Sequence, residues 1–383
     1  FMEGTKSWLT DLKLRADYGV TGNQNFDSYK SLNTMGGFGY YLYNGKNYQV
    51  WGPGKNANPD LKWEKGKNWN IGLDWTLFKG RLYGSFNYFS RRQQDLLGDY
   101  NVSVPPYLFT STFVNVGSMH NSGFEFDVTW NAIKSKDFSY TLNVVGATMN
   151  NKFVDFSNSK FVGQDYYDEV SPENPYPFHH LQRIERGRRI GSFYMLKYAG
   201  VDKQGRWVVY DKNNNMVLAD NATDEDQQYV GNGLPRFTGS MTHTFHYKQF
   251  DASLFFQTAL GFDIFNIHDF YYSTKNFQGN VMDKAYSKNK LVNQNPIVSD
   301  YFLEPGDYLK LSSVNIGYTL NLNKRFIDSV RIYATASNLF TITKFSGIDP
   351  STWELNGLTP GATNSRTYYP NTRQFMLGMQ IDF

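Results

Sequence analysis

The sequence predicts an all-β protein, an antiparallel transmembrane β-barrel with about ten spanning strands in this chain. Apolar and polar residues alternate in ten segments of the 383 residues, which is the period of a strand with one apolar and one polar face. The connections between these segments are alternately short and long, as in outer-membrane barrels. The last segment, residues 373–383, ends on an aromatic residue, which suits the aromatic belt at a membrane interface.

The amino-acid composition excludes several classes of protein and of site. The chain is 40% hydrophobic, 19% charged and 17% aromatic, with a mean hydropathy of −0.54. No apolar run approaches the roughly 18 residues of a membrane-spanning helix, which excludes a helical membrane protein. The sequence has no cysteine, so disulfides and thiolate zinc sites are excluded. The formal net charge of +3 is too small to indicate nucleic-acid binding.

The first three predicted strands establish the pattern. The first begins near Leu9 and runs to Val20, and a long stretch rich in Gly, Tyr and Asn follows it. The second and third occupy residues 68–77 and 82–88, and the short turn between them is a hairpin signal.

The hairpin unit then recurs three times before the final strand. The recurring pairs are residues 124–130 with 138–144, 237–242 with 252–257, and 313–320 with 330–337. Strands of about ten residues, tilted near 40°, cover roughly the 25 Å apolar band of an outer membrane. All four tight turns fall on one side, which we assign to the periplasm, and the long loops are then extracellular.

Several motifs resemble those of SusC/RagA-type TonB-dependent outer-membrane transporters, and they occur in the family's order over essentially the whole chain. Each is weak alone, whereas the ordered set is specific. They are LKLRADYGVTGNQ at 12–24, NPDLKWE at 58–64, VNVGSM at 114–119, NSGFEF at 121–126, GSFY at 191–194, LPRFTG at 234–239, YLKL at 308–311 and SNLFTITKFSG at 337–347 with Asp349-Pro350.

The resemblance implies a 22-stranded barrel with an N-terminal plug, driven by TonB and capped by a SusD-like surface lipoprotein. Residues 1–383 then correspond to the C-terminal portion of the barrel, without the plug or the first strands. The implied function is TonB-energised import of oligosaccharides or peptides across the outer membrane. Two alternatives remain open: a complete ten-stranded barrel that acts as an enzyme, and a passive porin.

Catalytic and cofactor motifs are absent from the sequence. No nucleophile elbow or phosphate loop occurs, so we expect no enzyme activity and no cofactor. Residues 211–215 resemble the start of a calcium loop, but Met216 replaces its glycine and Ala222 its final glutamate, which favours a hairpin turn. The six histidines show no metal-ligand spacing, and the acidic residues 220–226 are expected to form a solvated loop.

Polar residues within the strands and at their ends receive structural interpretations. Gly22, Asn23 and Asn338 are expected to supply turn geometry and to satisfy backbone groups. Charged residues on the polar strand faces are expected to face the lumen and to form ion pairs between strands. These charged residues are Lys13, Arg15, Asp17, Asp74, Glu125, Asp127, Asp251 and Arg331.

Aromatic clusters in three long loops are the candidates for contact with substrate or with the lid protein. Exposed aromatic faces bind sugar rings and peptide side chains, although such rings also pack against each other. The resemblance further implies that Phe383 belongs to the strand that the outer-membrane insertion machinery recognises. The loop candidates are Tyr41, Tyr43, Trp51, Tyr271, Tyr272, Trp353 and Tyr368.

Overall fold

Ten long antiparallel strands form one sheet in chain order in the computed structural model. The structure describes residues 3–24, 26–157, 161, 165–172, 180–324, 326–353, 357–363, 365–367 and 369–383. The strands are β1 (Leu9–Asn23), β2 (Glu64–Leu77), β3 (Leu82–Gln94), β4 (Ser118–Lys134), β5 (Phe138–Thr148), β6 (Phe237–Tyr247), β7 (Phe250–Leu260), β8 (Tyr308–Lys324), β9 (Ile327–Thr343) and β10 (Gln374–Asp382).

The count of ten strands and the alternation of short and long connections confirm the prediction. Short turns join β2 to β3, β4 to β5, β6 to β7 and β8 to β9, and every long connection lies at the other end of the sheet. Several strands are longer than predicted: β3 continues to Gln94 and β4 already begins at Ser118. An eleventh strand, Asn150–Asp155, pairs with the start of β4.

The two faces of the sheet differ as the alternation predicts. Leu14 is 73% exposed and Leu377 is 82% exposed, and both lie on the apolar face. Arg15 and Asp74 lie on the opposite face, where they form an ion pair. No helix among the described residues is long and apolar enough to cross a membrane.

The sheet is open. Within the described residues, β1 pairs with β2 and β10 pairs with β9, and neither end strand has a second neighbour. The first and last strands of the sheet therefore do not pair with each other. Unpaired backbone groups cost several kcal/mol each in hydrocarbon, so both edges need partner strands in a membrane.

The long connections contain short elements of their own. The only α-helix of the described residues is Ile267–Tyr272, and the Asn266 side chain caps it by accepting a hydrogen bond from the Asp269 amide. The loop strands are Met35–Tyr43 with Lys46–Pro53; Leu97–Asn101 with Ser111–Asn115; Tyr166–Glu169, Gln182–Glu185, Ser192–Met195 and Gln228–Asn232 in one sheet; Lys197–Val201, Trp207–Tyr210 and Met216–Leu218 in another; and Asp263–Phe265 with Leu303–Pro305. Turns of 3-10 helix are Glu3–Thr5, Phe78–Gly80, Ala219–Asn221, Asp224–Asp226, Asp283–Ala285, Asp300–Phe302 and Pro350–Thr352.

The main hydrophobic core lies at the long-loop end of the sheet. Connections 149–236, 261–307 and 344–373, which we call the loop region, supply most of its side chains. Trp207, Phe193 and Phe302 are almost completely buried there. The loop region is therefore a folded body with its own core rather than a set of independent loops.

Candidate functional site

Two ion pairs join strands on the polar face of the sheet. One links the neighbouring strands β1 and β2, and the other reaches across β8 to link β7 with β9. The Arg15 guanidinium donates two hydrogen bonds of 2.8 Å to Asp74 on β2. On the other side of the sheet, Arg331 Nε donates to Asp251 Oδ1 across 2.9 Å. The prediction of ion pairs between strands is confirmed at these two places.

A glycine lies beside the arginine of each ion pair, Gly72 on β2 and Gly317 on β8. A Cβ on Gly72 would stand 2.8 Å from Arg15 Nη2, and a Cβ on Gly317 would stand 2.6 Å from Arg331 Nε. Each arginine also reaches an asparagine: Arg15 donates to Asn87 and Arg331 to Asn315. The polar face thus repeats one arrangement of arginine, aspartate, asparagine and glycine.

The asparagine motifs have the structural role that the sequence predicts. Asn338 adopts a left-handed conformation (φ 55°), and its side chain donates to the Thr372 carbonyl across 3.0 Å. Asn23 donates to Glu64 Oε2 across 2.9 Å and so joins β1 to the start of β2.

Asn115 of the VNVGSM motif links two loops. Its Oδ1 accepts from the Lys62 amide at 2.8 Å, and its Nδ2 donates to the carbonyls of Lys62 and Asp95 at 2.7 and 2.9 Å. Asn56, only 8% exposed, donates to the carbonyls of Phe109 and Ser111. These bonds hold connection 24–63 against connection 95–117 at the long-loop end of the sheet.

Gly191 and Gly233 receive the last long connection. A Cβ on Gly233 would meet the Pro360 carbonyl oxygen at 1.7 Å, so only glycine allows this approach. Fully buried Gln182 donates to the same carbonyl oxygen across 2.7 Å. The GSFY motif and the residue before LPRFTG therefore form a docking point for connection 344–373.

Two lysine–aspartate pairs, each with one buried member, lie in the same region. Lys310 of the YLKL motif, 4% exposed, lies 3.0 Å from Asp349. Burial opposes ionisation of Asp349, but hydrogen bonds from Ser351 and Lys310 outweigh it and keep its pKa below the usual value. Burial raises the pKa of Asp269 even though Lys284 Nζ lies 2.7 Å away.

The structure separates the aromatic candidates of the first long loop from the others. Tyr41, Tyr43 and Trp51 are 54%, 59% and 58% exposed on the hairpin of Met35–Tyr43 and Lys46–Pro53. Tyr41 stacks on Tyr48 with ring centroids 5.6 Å apart. This hairpin presents accessible aromatic faces.

The aromatic candidates of the later loops are core residues instead. Tyr271 is completely buried and Trp353 is 4% exposed, so neither offers a free face to a ligand. Tyr272 is partly buried against the same core, and its ring meets the Phe277 ring edge to face. Tyr368 lies outside the described residues, and Phe383 is 85% exposed at the end of the apolar face.

Sequence analysis missed a cavity of about 530 Å³ beside connection 95–117. Its walls are aliphatic and aromatic, and Asp99 and Glu169 are its acidic members. The Tyr167 ring stands edge to face against Phe156, and burial raises the pKa of Tyr167 to about 12. The apolar pairs Val114 with Val116 and Phe153 with Phe156 were the available signal. The other lining residues are Leu96, Leu97, Gly98, Tyr100, Met119 and Leu358.

A second missed feature is a ladder of tyrosine and arginine on the four-stranded loop sheet. The Arg183 guanidinium lies 3.7 Å from the Tyr166 ring centroid and 4.0 Å from that of Tyr194. Asp168 holds it through two hydrogen bonds of 2.6 and 2.8 Å. Tyr229 extends the ladder, 4.9 Å from Tyr194. The opposite face of this sheet carries core residues.

The calcium-like segment forms a hairpin turn, which confirms the interpretation made from the sequence. Asp211 Oδ1 accepts hydrogen bonds from the amides of Asn213 and Asn215, both at 2.8 Å. Asp226 accepts from the amides of Lys212 and Thr223. In the part of the chain that the structure describes, no three His, Asp or Glu side chains are grouped to hold a metal ion.

Comparison with known proteins gives consistent matches. The family model described as TonB dependent receptor-like, beta-barrel matches residues 6–339. TonB-dependent receptor P3 of Formosa agariphila is 30% identical over 98% of the chain, and TonB-dependent receptor SusC of Bacteroides thetaiotaomicron is 28% identical over 98%. The chain spans 40% and 38% of the lengths of these relatives.

Solved structures agree with these matches. A structure of the RagAB peptide transporter superposes with a TM-score of 0.80 and 25% identity, over 98% of this chain and 41% of that chain. The relatives carry the names of receptors and transporters, in agreement with the prediction that the chain is not an enzyme.

Proposed function

Because this chain belongs to the TonB-dependent receptor β-barrel family, we propose that it forms the C-terminal wall and the extracellular mouth of an outer-membrane importer. Residues 1–383 supply ten strands of a larger barrel, and protein beyond them supplies the plug and the remaining strands. The observation that carries this proposal is the open ten-stranded sheet, whose two edges both need partners. The 38–41% share of the matched relatives that the chain covers supports it.

Energy from TonB and a SusD-like lid complete the proposed importer. The similarity to SusC and to the RagAB peptide transporter supports both partners. The exposed hairpin of Tyr41, Tyr43 and Trp51 is the proposed lid contact, since flat aromatic faces bind protein surfaces well and remain accessible here. Fully buried Tyr271 has no part in this contact.

The proposed cargo is a peptide or an oligosaccharide, and the cavity beside connection 95–117 favours a peptide. Sugar sites need many hydrogen-bonding groups, whereas these walls are mainly Leu, Val and Phe. An apolar side chain of a peptide fits such walls, and Asp99 and Glu169 provide partners for a basic residue or an amino terminus.

Peptide uptake by the full-length protein tests this proposal. Val114, 1% exposed, lines the cavity, and Val114→Asp should abolish its preference for apolar side chains. We expect uptake of peptides that insert an apolar side chain to fall at least about tenfold, since a carboxylate among apolar walls disfavours such side chains. Val102→Asp, a half-buried valine of the same connection that does not line this cavity, is the matched control.

Two outcomes count against the proposal. Unchanged peptide uptake by a correctly folded Val114→Asp variant removes the cavity from the import route. Uptake of oligosaccharides but not peptides by the wild type assigns the cargo to the other class and leaves the importer itself in place.

A further inference from the structure

A row of four basic side chains crosses four adjacent strands on the apolar face of the sheet. Lys67 on β2 pairs directly with Arg92 on β3, and Arg92 pairs with His120 on β4. His120 in turn pairs with Lys152 on the strand Asn150–Asp155. We call Lys67, Arg92, His120 and Lys152 the basic row.

Strand alternation puts the basic row on the face that we assign to lipid. Lys67 shares its face with Trp69 and Ile71, which are 39% and 48% exposed. Arg92 shares its face with Phe86, and His120 with Phe124, and these two phenylalanines are 48% and 61% exposed. The basic row therefore continues the apolar face rather than the polar one.

The height of the basic row matches the boundary of the apolar band. Lys67 lies ten residues along β2 from Leu77 at the short turn. Ten residues rise about 33 Å along a strand, or about 25 Å across a membrane at a tilt near 40°, which is the usual height of the apolar band. The basic row thus stands at the level of the outer-leaflet headgroups.

The charges of the basic row are not balanced within the described residues. No described carboxylate lies within ion-pair distance of Lys67, Arg92 or Lys152, and His120 bonds only to Ser90, across 2.9 Å. Like charges directly opposite one another on neighbouring strands are destabilising. An anion between them would remove that cost.

A groove of about 480 Å³ joins the basic row to apolar surface. Its lining combines the four basic residues with Tyr18, Trp69, Ser90 and Val154. The long-loop ends of the last strands differ, because exposed Phe340 and Ile342 occupy their outward side. The basic row is therefore a local feature of one side of the sheet.

We propose that the basic row binds the phosphate groups of an anionic glycolipid in the outer leaflet, of the lipid A type. Lysine and arginine bind the phosphates, and Trp69 and Tyr18 contact the adjoining apolar part of the same molecule. A free phosphate has no use for the apolar part of the groove. The lipid would act as an annular partner that fixes this side of the wall in the outer leaflet.

Lipid binding to the full-length protein in mixed micelles tests the proposal. We expect the triple variant Lys67→Gln, Arg92→Gln, Lys152→Gln to bind bisphosphorylated lipid A on the order of a hundredfold more weakly, from three charges near a lipid surface. Lys79→Gln, Lys134→Gln, Lys248→Gln removes three charges from the short-turn end and should bind like the wild type. Dephosphorylated lipid A should bind the wild type as weakly as the triple variant binds the phosphorylated form.

Equal binding by the triple variant and the wild type overturns the proposal, as does an equal loss in the short-turn control. Competition by millimolar inorganic phosphate, with no dependence on acyl chains, assigns the row to a free anion and overturns the lipid. Heat-resistant migration in gels reports folding of each variant. If the triple variant does not fold, Arg92→Gln alone should still weaken binding about fivefold, and no change there contradicts the proposal.

Discussion

The spanning sheet and the loop region place similar side chains in opposite surroundings. Phe375 on β10 is 76% exposed and Leu377 is 82% exposed, whereas Phe193 and Phe302 in the loop region are at most 1% exposed. The difference lies in the solvent, because lipid accepts the apolar face of the sheet while water forces the loops to bury theirs. Apolar content therefore marks the membrane wall in one region and a globular core in the other.

Truncating one phenylalanine in each region should give the largest difference in stability between the two regions. Phe193→Ala should cost roughly 3–5 kcal/mol in the stability of the loop region, because it leaves a cavity in a water-excluded core. Phe375→Ala should cost much less, since lipid fills the space. Denaturant titration of the full-length protein in lipid, followed by proteolysis of the loops, measures both. Equal costs would contradict the assignment of solvents.

Inserting a charge on each face of β4 compares the two faces of the sheet. Val128→Arg should destabilise the protein by about 2–4 kcal/mol if lipid covers its face near the midplane. Thr129→Arg, one residue along β4, should cost less because its face is polar; Thr129 accepts a hydrogen bond from Asn143 at 2.9 Å. The same titration applies, and a greater cost for Thr129→Arg would reverse the two faces.

Removing the side-chain amide of Asn115 tests the link between connections 24–63 and 95–117. Asn115→Ala should cost about 1–3 kcal/mol, because it leaves the Lys62 and Asp95 backbone groups without their partner. Exposed Asn101 on the neighbouring strand gives the matched control, Asn101→Ala. Protection of residues 57–62 from hydrogen exchange should fall in the first variant alone. An equal loss of protection in both variants would mean that the hydrogen bonds of Asn115 do not specifically hold this loop.

The smallest expected effect concerns pH and appears only in the loop region. The pKa of Asp349 is held below its usual value, so its folded form binds a proton less readily than the unfolded chain. Its contribution to stability is present above the unfolded pKa near 4 and is lost as the pH falls through the lower folded pKa. Asp349→Asn should flatten the acid dependence of loop unfolding as the pH falls below the unfolded pKa near 4. An unchanged profile would contradict this role.

The spanning strands were accessible from sequence because their signal is local. Alternation over Leu12, Leu14 and Ala16 needs no knowledge of distant residues, and lipid on one side makes it regular. The pairs of Arg15 with Asp74 and Arg331 with Asp251 follow from the same rule, since charges avoid the lipid face.

The loop region was less accessible because its contacts are distant in sequence. Gln182 bonds to Pro360, 178 residues away, and no local period announces such a contact. Tyr271 and Trp353 therefore look like exposed loop aromatics in the sequence, although both are packed in the core. The cavity beside connection 95–117 likewise combines residues from five separate stretches.

Cysteine crosslinking in the native outer membrane tests the central claim, that this sheet is one part of a larger barrel. In the full-length protein, Leu14→Cys with Leu377→Cys places one cysteine on each end strand of the sheet. Leu14→Cys with Leu73→Cys, which face each other across β1 and β2, is the positive control. We expect efficient crosslinking in the control and none between the end strands. Efficient crosslinking of Leu14→Cys to Leu377→Cys would mean a closed ten-stranded barrel and would contradict the account.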